Sequence, residues 1–551
     1  MGRLAVFVRL ALIVAVGFVA TDGTVRAQTG ASSAVRGVVW TPPQSPTAAQ
    51  QALRRMTAMG ATAVRLTRPV EASSVLALAD TLGLALYVDL PVAYLSAPAL
   101  SDTLSFARRH LDAVLAQARR HTSIRAVGLA RGADTTTPSA CAYFDALASH
   151  LRASSALQSY YVTPFRPSAD ACAEAVDLVL VDLVGTSDPQ ARWHQWAPTH
   201  AAVGIGAVGR GTQPGAGRGL RVPASPDRQA RYLERHLVPL LAETEDRPSA
   251  LFVYRWQDQP AAVTTRRYGL HRADASPRPA TRVVEGIFTK RQRTFAFPQG
   301  TAPASGAPWL VVVGWGLVAG LGGLYAQYGQ VRRTLPRYFV SHGFYRDGIR
   351  GGRDLMPEVS VVFLVTAVCA LGLGAMAAVQ AVGTAPAVHH VLAALPDGPR
   401  QVAARWMEAP VTYGVEVGVG AGLLLGAWGI GLSLAARPWG GLSAPQVLMM
   451  LAWPHWPALL GLVVALVLAA QDPAAGGPRI AGALVGGGVL FSLWITVRVL
   501  RDYAAVADVP RSVAGALALA SPPAVVVLAG AGLVAYYDLP LRFLYRLMAL
   551  T

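Results

Sequence analysis

Four aspartates carry the clearest chemical potential in this chain. Asp89, Asp182 and Asp258 fall near the ends of short apolar runs, and Asp134 follows the end of another. Two carboxyl groups facing one cavity can do acid and base work. An aspartate at the end of a strand serves equally as a helix cap or as an arginine's partner, and both readings stand. Arg65 and Arg131 present planar forks suited to an oxyanion or to one of these aspartates. Trp40 and Trp256 offer apolar faces that either hold a ring or pack in a core. His389 and His390 are adjacent but lack partners at ligand spacing, so no metal centre is expected. No Gly-x-Gly-x-x-Gly turn follows the first apolar run, and no cofactor is expected. Cys141, Cys172 and Cys369 are the only cysteines. The first two can pair, although nothing in the sequence fixes their geometry. Cys369, in an apolar run, reads as a small core or lipid-facing residue.

The elements that must position these side chains alternate regularly. Strands are expected at 35–40, 62–66, 84–90, 124–130, 158–163, 177–183, 201–208 and 249–256. Helical patterns cover 47–59, 73–82, 101–120, 138–153, 168–175 and 226–244. Eight strands, most followed by a helix, predict a (β/α)8 barrel, with a doubly wound open sheet as the competitor. In a barrel, the carboxyl ends of the strands form the face where sites are built. The four aspartates and two arginines all belong near that face.

The rest of the 551-residue chain is of another kind. Hydrophobic residues make up 53% and charged residues only 14%, with the long apolar runs all after residue 308. Windows long enough to cross a bilayer occur at 308–328, 359–383, 410–435, 445–470, 479–498 and 513–536. Before them, Arg3 and Arg9, the apolar run 10–20 and the small residues at Val25-Arg26-Ala27 form a signal peptide over 1–27. Residues 288–307 are a polar, Pro- and Gly-rich linker. The segment 329–358 carries Arg332, Arg333, Arg337, Arg346, Arg350 and Arg353. It is expected to be a cytoplasmic loop, which puts the barrel on the extracytoplasmic face of a bacterial cytoplasmic membrane. Arg437, Arg498 and Arg501 agree with that orientation, and Arg479 is an exception. The loop is either a topology determinant alone or a contact for anionic lipid or a cytoplasmic partner. Glu416, in the third window, is either a functional ionisable group or a hydrogen-bonded structural one. Gly316 with Gly320, and Gly482 with Gly486, have the spacing of closely packed membrane helices. The net charge of +17 comes almost wholly from arginine and forms no dense basic run among aromatics, which argues against nucleic acid.

Residues 59–69 (Met-Gly-Ala-Thr-Ala-Val-Arg-Leu-Thr-Arg-Pro) and 78–92 (Leu-Ala-Asp-Thr-Leu-Gly-Leu-Ala-Leu-Tyr-Val-Asp-Leu-Pro-Val) carry a resemblance. His121-Thr122-Ser123-Ile124, Tyr254-Arg255-Trp256-Gln257-Asp258-Gln259, Tyr268-Gly269-Leu270 and Pro277-Arg278-Pro279-Ala280 extend it. Together, over about residues 35–287, they resemble the TIM barrel of glycoside hydrolase family 2, the β-galactosidase and β-glucuronidase type. The resemblance implies a retaining mechanism with an acid/base and a nucleophilic glutamate. Both are missing here. The acid/base position, in Ala130-Arg131-Gly132-Ala133, is Gly132, and the nucleophile position, in Val203–Gly209, is Ala207. The family's β-sandwich domains have no counterpart. The last three apolar windows faintly resemble a Yip1-type membrane domain.

The expected protein is therefore a membrane-tethered, glycosidase-like barrel without catalysis that binds a glycan or an envelope partner. Arg65, Arg131, Trp40 and Trp256 are its expected ligand-binding residues, and the two arginines suit uronate or phosphate groups. One rival is an active hydrolase using the displaced acids Asp134, Asp258 and Asp89. Another is a transporter or assembly component in which the barrel is a scaffold.

Overall fold

Eight parallel strands close into a barrel in chain order. The computed structural model describes residues 34–200, 202–242, 247–259, 266–301, 309–353, 355–383, 385–457 and 477–551. The expected signal segment 1–27 and part of the linker lie outside the described residues. The strands are β1 (Val35–Trp40), β2 (Ala63–Leu66), β3 (Ala85–Asp89), β4 (Ile124–Arg131), β5 (Gln158–Thr163), β6 (Leu178–Val184), β7 (Val203–Gly209) and β8 (Ala250–Tyr254). Their helices are α1 (Pro46–Ala58), α2 (Ser73–Leu82), α3 (Ala97–Ala118), α4 (Pro138–Ser154), α5 (Pro189–Trp196), α6 (Pro226–Leu240) and α7 (Pro279–Phe288).

Alternation along the strands sorts the side chains into two layers. Val38, Trp40, Val64 and Leu66 enter the core between strands and helices. Val39, Ala63, Tyr160, Leu180 and Phe252 fill the barrel interior. Register shifts interrupt the ladders between β3 and β4, β4 and β5, β6 and β7, and β7 and β8.

Two local departures from the expected rhythm have physical causes. The predicted helix at 168–175 is two single 3₁₀ turns, Pro167–Ala169 and Ala173–Ala175. Between them the Asp170 carboxylate accepts from the Cys172 N–H, the Thr135 hydroxyl and the Tyr161 hydroxyl, a local bonding pattern that competes with a helix. Cys172 is also bonded to Cys141 of α4. The short helix α5, absent from the expected set, starts at Asp188, whose side chain accepts from the Ala191 N–H, with Pro189 next.

The second half is helical. It comprises α8 (Trp309–Gln327), α9 (Gly329–Val340), α10 (His342–Arg350), α11 (Pro357–Gly383), α12 (Pro386–Ala394), α13 (Asp397–Glu408) and α14 (Pro410–Ala436). Then follow α15 (Ala444–Ala452), α16 (Gly477–Ala507), α17 (Arg511–Leu519), α18 (Pro522–Tyr536) and α19 (Leu541–Leu550). Among the described residues two helices, Pro357–Gly383 and Pro410–Trp439, are long and apolar enough to cross a membrane. Two bent pairs, Val311–Gln327 with Gly329–Val340 and Arg511–Leu519 with Pro522–Tyr536, raise the number to four. Most of the 445–470 window lies outside the described residues.

The segment 329–358, expected as a connecting loop, is helical over 329–340 and 342–350. It forms α9 and α10, because Val331, Tyr338, Tyr345 and Ile349 share a buried face while most of the arginines point outward. Gly316 and Gly320 meet no neighbour among the described residues; the close helix approach is at Gly372 of α11 and Gly414 of α14. Glu416 accepts hydrogen bonds from Arg405 and the Trp406 indole, at 2.6 and 3.1 Å. Barrel and helices from Val35 to Thr551 form one compact unit.

Candidate functional site

The deepest polar group of the barrel mouth is a buried pair. Arg65 of β2 donates from Nε and Nη2 to the two oxygens of Asp89 on β3, at 3.1 and 2.8 Å. The Tyr160 hydroxyl of β5 donates to the same carboxylate at 2.7 Å. Arg65 Nη1 donates across the barrel to the Gly206 carbonyl on β7 at 2.7 Å. A side chain at Gly206 would crowd Leu180 and press toward that guanidinium, so glycine keeps the crossing open. Burial acts to lower the Arg65 pKa, and the facing Asp89 charge more than reverses this, leaving it raised. The pair is thus a fully bonded brace across the interior, with both Asp89 oxygens accepting hydrogen bonds.

The other two candidate acids are tied in the same way, each to its own arginine. Asp134 accepts from the Thr136 hydroxyl at 2.6 Å and from Arg546 of α19 at 2.8 Å. Asp258 accepts from Arg278 at 2.6 Å and from the Gly269 N–H at 2.8 Å. Asp182 of β6 differs. Its carboxylate accepts the Val184 N–H at 3.0 Å, and burial raises its pKa against the pull of His389, Arg65 and Arg131.

Gly132 and Ala207, the positions where catalytic glutamates were expected to be absent, are both closely packed. Gly132 follows β4 at φ 63°, in the left-handed region, and a Cβ there would lie 2.5 Å from the Tyr94 ring. Ala207 is buried in the interior layer, paired in register with Asp182. Trp40 and Trp256 do not face the interior. Both lie in the core between strands and helices, with Trp256 against His271 at 4.2 Å between ring centres. Strand parity explains Trp40, which shares its face with Val38 rather than with Val39. Arg131 does reach the mouth. Its guanidinium lies 5.8 Å from the centre of the Tyr94 ring, and its buried Nε has no hydrogen-bond partner among the described residues. The same holds for Nη2 of Arg255, just beyond β8.

Over these residues sits the helical half of the chain. The α12 helix brings in His389 and His390. His389 packs on Tyr254 and Tyr268 with ring centres 5.9 and 5.3 Å away. His390 Nδ1 and the Tyr94 hydroxyl share a hydrogen bond of 3.2 Å. Burial pushes His389 down to about 3, with His390 acting in the same sense and Asp182 opposing. Burial lowers His390 to about 4, aided by Arg131 and Arg192. The α19 helix adds Phe543 and Leu547, which pack with Tyr94 and Phe165. The Leu550 carbonyl accepts from the Arg166 N–H. The sequence reading placed the two histidines outside any site; in the structure they are the centre of the mouth. Nothing local could have revealed them, since their partners lie more than a hundred residues away.

No known family model matches this chain, and no curated protein matches it. Among solved structures it is similar to a family 2 β-galacturonidase from Eisenbergiella tayi, at 16% identity and a TM-score of 0.42 over 48% of this chain and 52% of that one. A β-glucuronidase from an uncultured Clostridium matches at 13% identity and 0.42, over 47% and 50%. One from Ruminococcus gnavus matches at 14% and 0.41, over 46% and 49%. The chain spans about half the length of these structures.

Proposed function

We propose that this chain is a multi-pass protein of the bacterial cytoplasmic membrane whose extracytoplasmic barrel is a non-catalytic binding module coupled to its membrane half. The observation that carries this reading is the seating of His389 and His390 in the barrel mouth, over a Gly132 that Tyr94 covers. Retaining hydrolysis needs two carboxyl groups about 5 Å apart, one of them able to donate a proton. Asp89, Asp134 and Asp258 are each neutralised by a different arginine. The ligand, a glycan or an envelope partner, would meet Arg131 and Arg255, whose open N–H groups suit an acidic or hydroxyl-rich group. Its binding would compete with α12 and so be felt by the helices.

Three observations support the placement. The Cys141–Cys172 disulfide fits an oxidising compartment. The helix α11, 27 residues and so about 40 Å long, carries the barrel-contacting α12 beyond one end and the arginine-bearing α10 before the other. The arginines then fall on the inner side, as the charge rule requires. Six spans remain the proposed number.

Purified full-length protein tested on a panel of aryl glycosides and uronides should show no turnover. Turnover that disappears in Asp134→Ala or Asp258→Ala would establish the rival enzyme reading. Thermal stabilisation by an oligosaccharide or uronate, lost in Arg131→Ala, supports the binding module. No stabilisation by any of them would favour a barrel that is only a scaffold.

A further inference from the structure

A second polar cluster lies within the helical half, between α9, α10 and α16. Asp502 of α16 is fully buried. Its Oδ1 accepts from His342 Nε2 at 2.6 Å and from Arg346 Nε at 2.8 Å, both on α10. Its Oδ2 has no hydrogen-bond partner among the described residues. One turn earlier on α16, Arg498 donates from Nη2 to the Tyr338 carbonyl at 3.3 Å, with its guanidinium 5.2 Å from the centre of the Tyr338 ring. Its buried Nε is unpartnered, and so is the hydroxyl of Tyr338, a fully buried residue of α9. The neighbouring Tyr345 shows the contrast: its hydroxyl donates to the Met449 carbonyl at 3.2 Å.

Buried polar atoms are rarely left unbonded because their desolvation goes uncompensated, so three on contacting helices mark a place built to receive something. Two of the three, Arg498 Nε–H and Tyr338 O–H, lie side by side and together present donors to one acceptor. The third, Asp502 Oδ2, calls for a donor. Two arginines against one aspartate leave the cluster cationic. Arg346 and Arg498 are partly exposed, so the cluster borders the surface of the helical half. An anionic phosphate carrying a nearby hydroxyl meets all three demands: its oxygens accept from Arg498 and Tyr338, and its hydroxyl donates to Asp502. Hydrogen phosphate also carries one hydroxyl and can meet the same three, so inorganic phosphate is tested beside the lipid.

We propose that this cluster binds the phosphoglycerol headgroup of an anionic lipid. This rests on the membrane placement proposed above, and does not depend on what the barrel does. The source of the phosphoglycerol is the lipid of the arginine-side leaflet, with soluble glycerol phosphate as the alternative. Full-length protein in detergent, titrated with phosphatidylglycerol, phosphatidylethanolamine or phosphatidylcholine, should retain phosphatidylglycerol selectively in native mass spectra and melt higher with it. Tyr338→Phe keeps the ring and removes one hydrogen bond to a charged group, and should weaken phosphatidylglycerol binding about tenfold. Arg498→Gln should weaken it at least as much, while Arg333→Gln, at an exposed position, should change it less than about twofold. Stabilisation by sn-glycerol 3-phosphate or inorganic phosphate matching that by the lipid would assign the same chemistry to a soluble ligand. Equal retention of phosphatidylcholine, or unchanged binding in Tyr338→Phe, would overturn the proposal. Release of the protein from membranes by alkaline carbonate would instead overturn the membrane placement.

Discussion

At the scale of single residues, Gly132 and its neighbours show how tightly the mouth is packed. The Gly132 backbone is in the left-handed region, and Tyr94 occupies the space a side chain would need. Tyr94 in turn is held by His390 and by the Phe543–Leu547 cluster. Restoring both glutamates in Gly132→Glu/Ala207→Glu should therefore fail to create a hydrolase. It should instead lower stability by about 1–3 kcal/mol through strain and overpacking, read from thermal or denaturant unfolding. Aryl-glycoside turnover in a stable double variant would refute that account. Motif register in the sequence singles out positions 132 and 207, and the structure shows how Gly132 and Ala207 are packed. The Arg65–Asp89 pair was legible as one of two alternatives for those residues. The position of Trp40 was not, because both faces of a barrel strand are buried and hydrophobicity does not tell one from the other.

At the scale of elements, the barrel was largely readable and its punctuation was not. Strand after strand shows the apolar run and the following helical period, and β1 and β5 span the expected residues. The 165–177 stretch misled because its alanines favour helix, while Asp170 and the Cys172 link to α4 hold it in short turns. That disulfide closes a loop with a sequence separation of 31 residues. By loop-closure entropy it should contribute about 3–4 kcal/mol, so Cys141→Ser/Cys172→Ser should shift the barrel's unfolding by that order. Unfolding of the double variant at the same denaturant concentration as the parent would mean that Asp170 and its three donors hold the segment by themselves. The arginine-rich segment misled in the opposite way. Its charge density reads as a solvated loop, whereas its aromatic residues recur at helical spacing and bury one face of α9 and α10.

At the scale of the whole molecule, the mouth joins two parts that the sequence reading treated as separate, and the joint contains titratable groups. His389 and His390 of α12 face Asp182 of β6, Arg131 of β4, Arg192 of α5 and Arg255 beyond β8. Docked, the histidines titrate near 3 and 4; withdrawn into water, they would return toward 6.5. The withdrawn state thus binds more protons between those limits. Docking is at full strength above pH 6.5 and weakens as pH falls toward 4, by about 1.4 kcal/mol per pH unit for each histidine. Asp182 works against this, since its raised pKa lets the docked state take up a proton first, but one carboxyl opposes two imidazoles. Hydrogen exchange of the α12 amides in the full-length protein should therefore report opening at least about tenfold greater at pH 5.0 than at pH 7.5. His389→Gln/His390→Gln should flatten that dependence, and Asp182→Asn should steepen it. An opening of α12, corrected for the intrinsic pH dependence of amide exchange, that is the same at both pH values would mean that the histidines do not leave the mouth, and that barrel and helices are locked together rather than coupled. Either outcome bears on the binding module, because a ligand entering at Arg131 needs the same opening that protonation would favour.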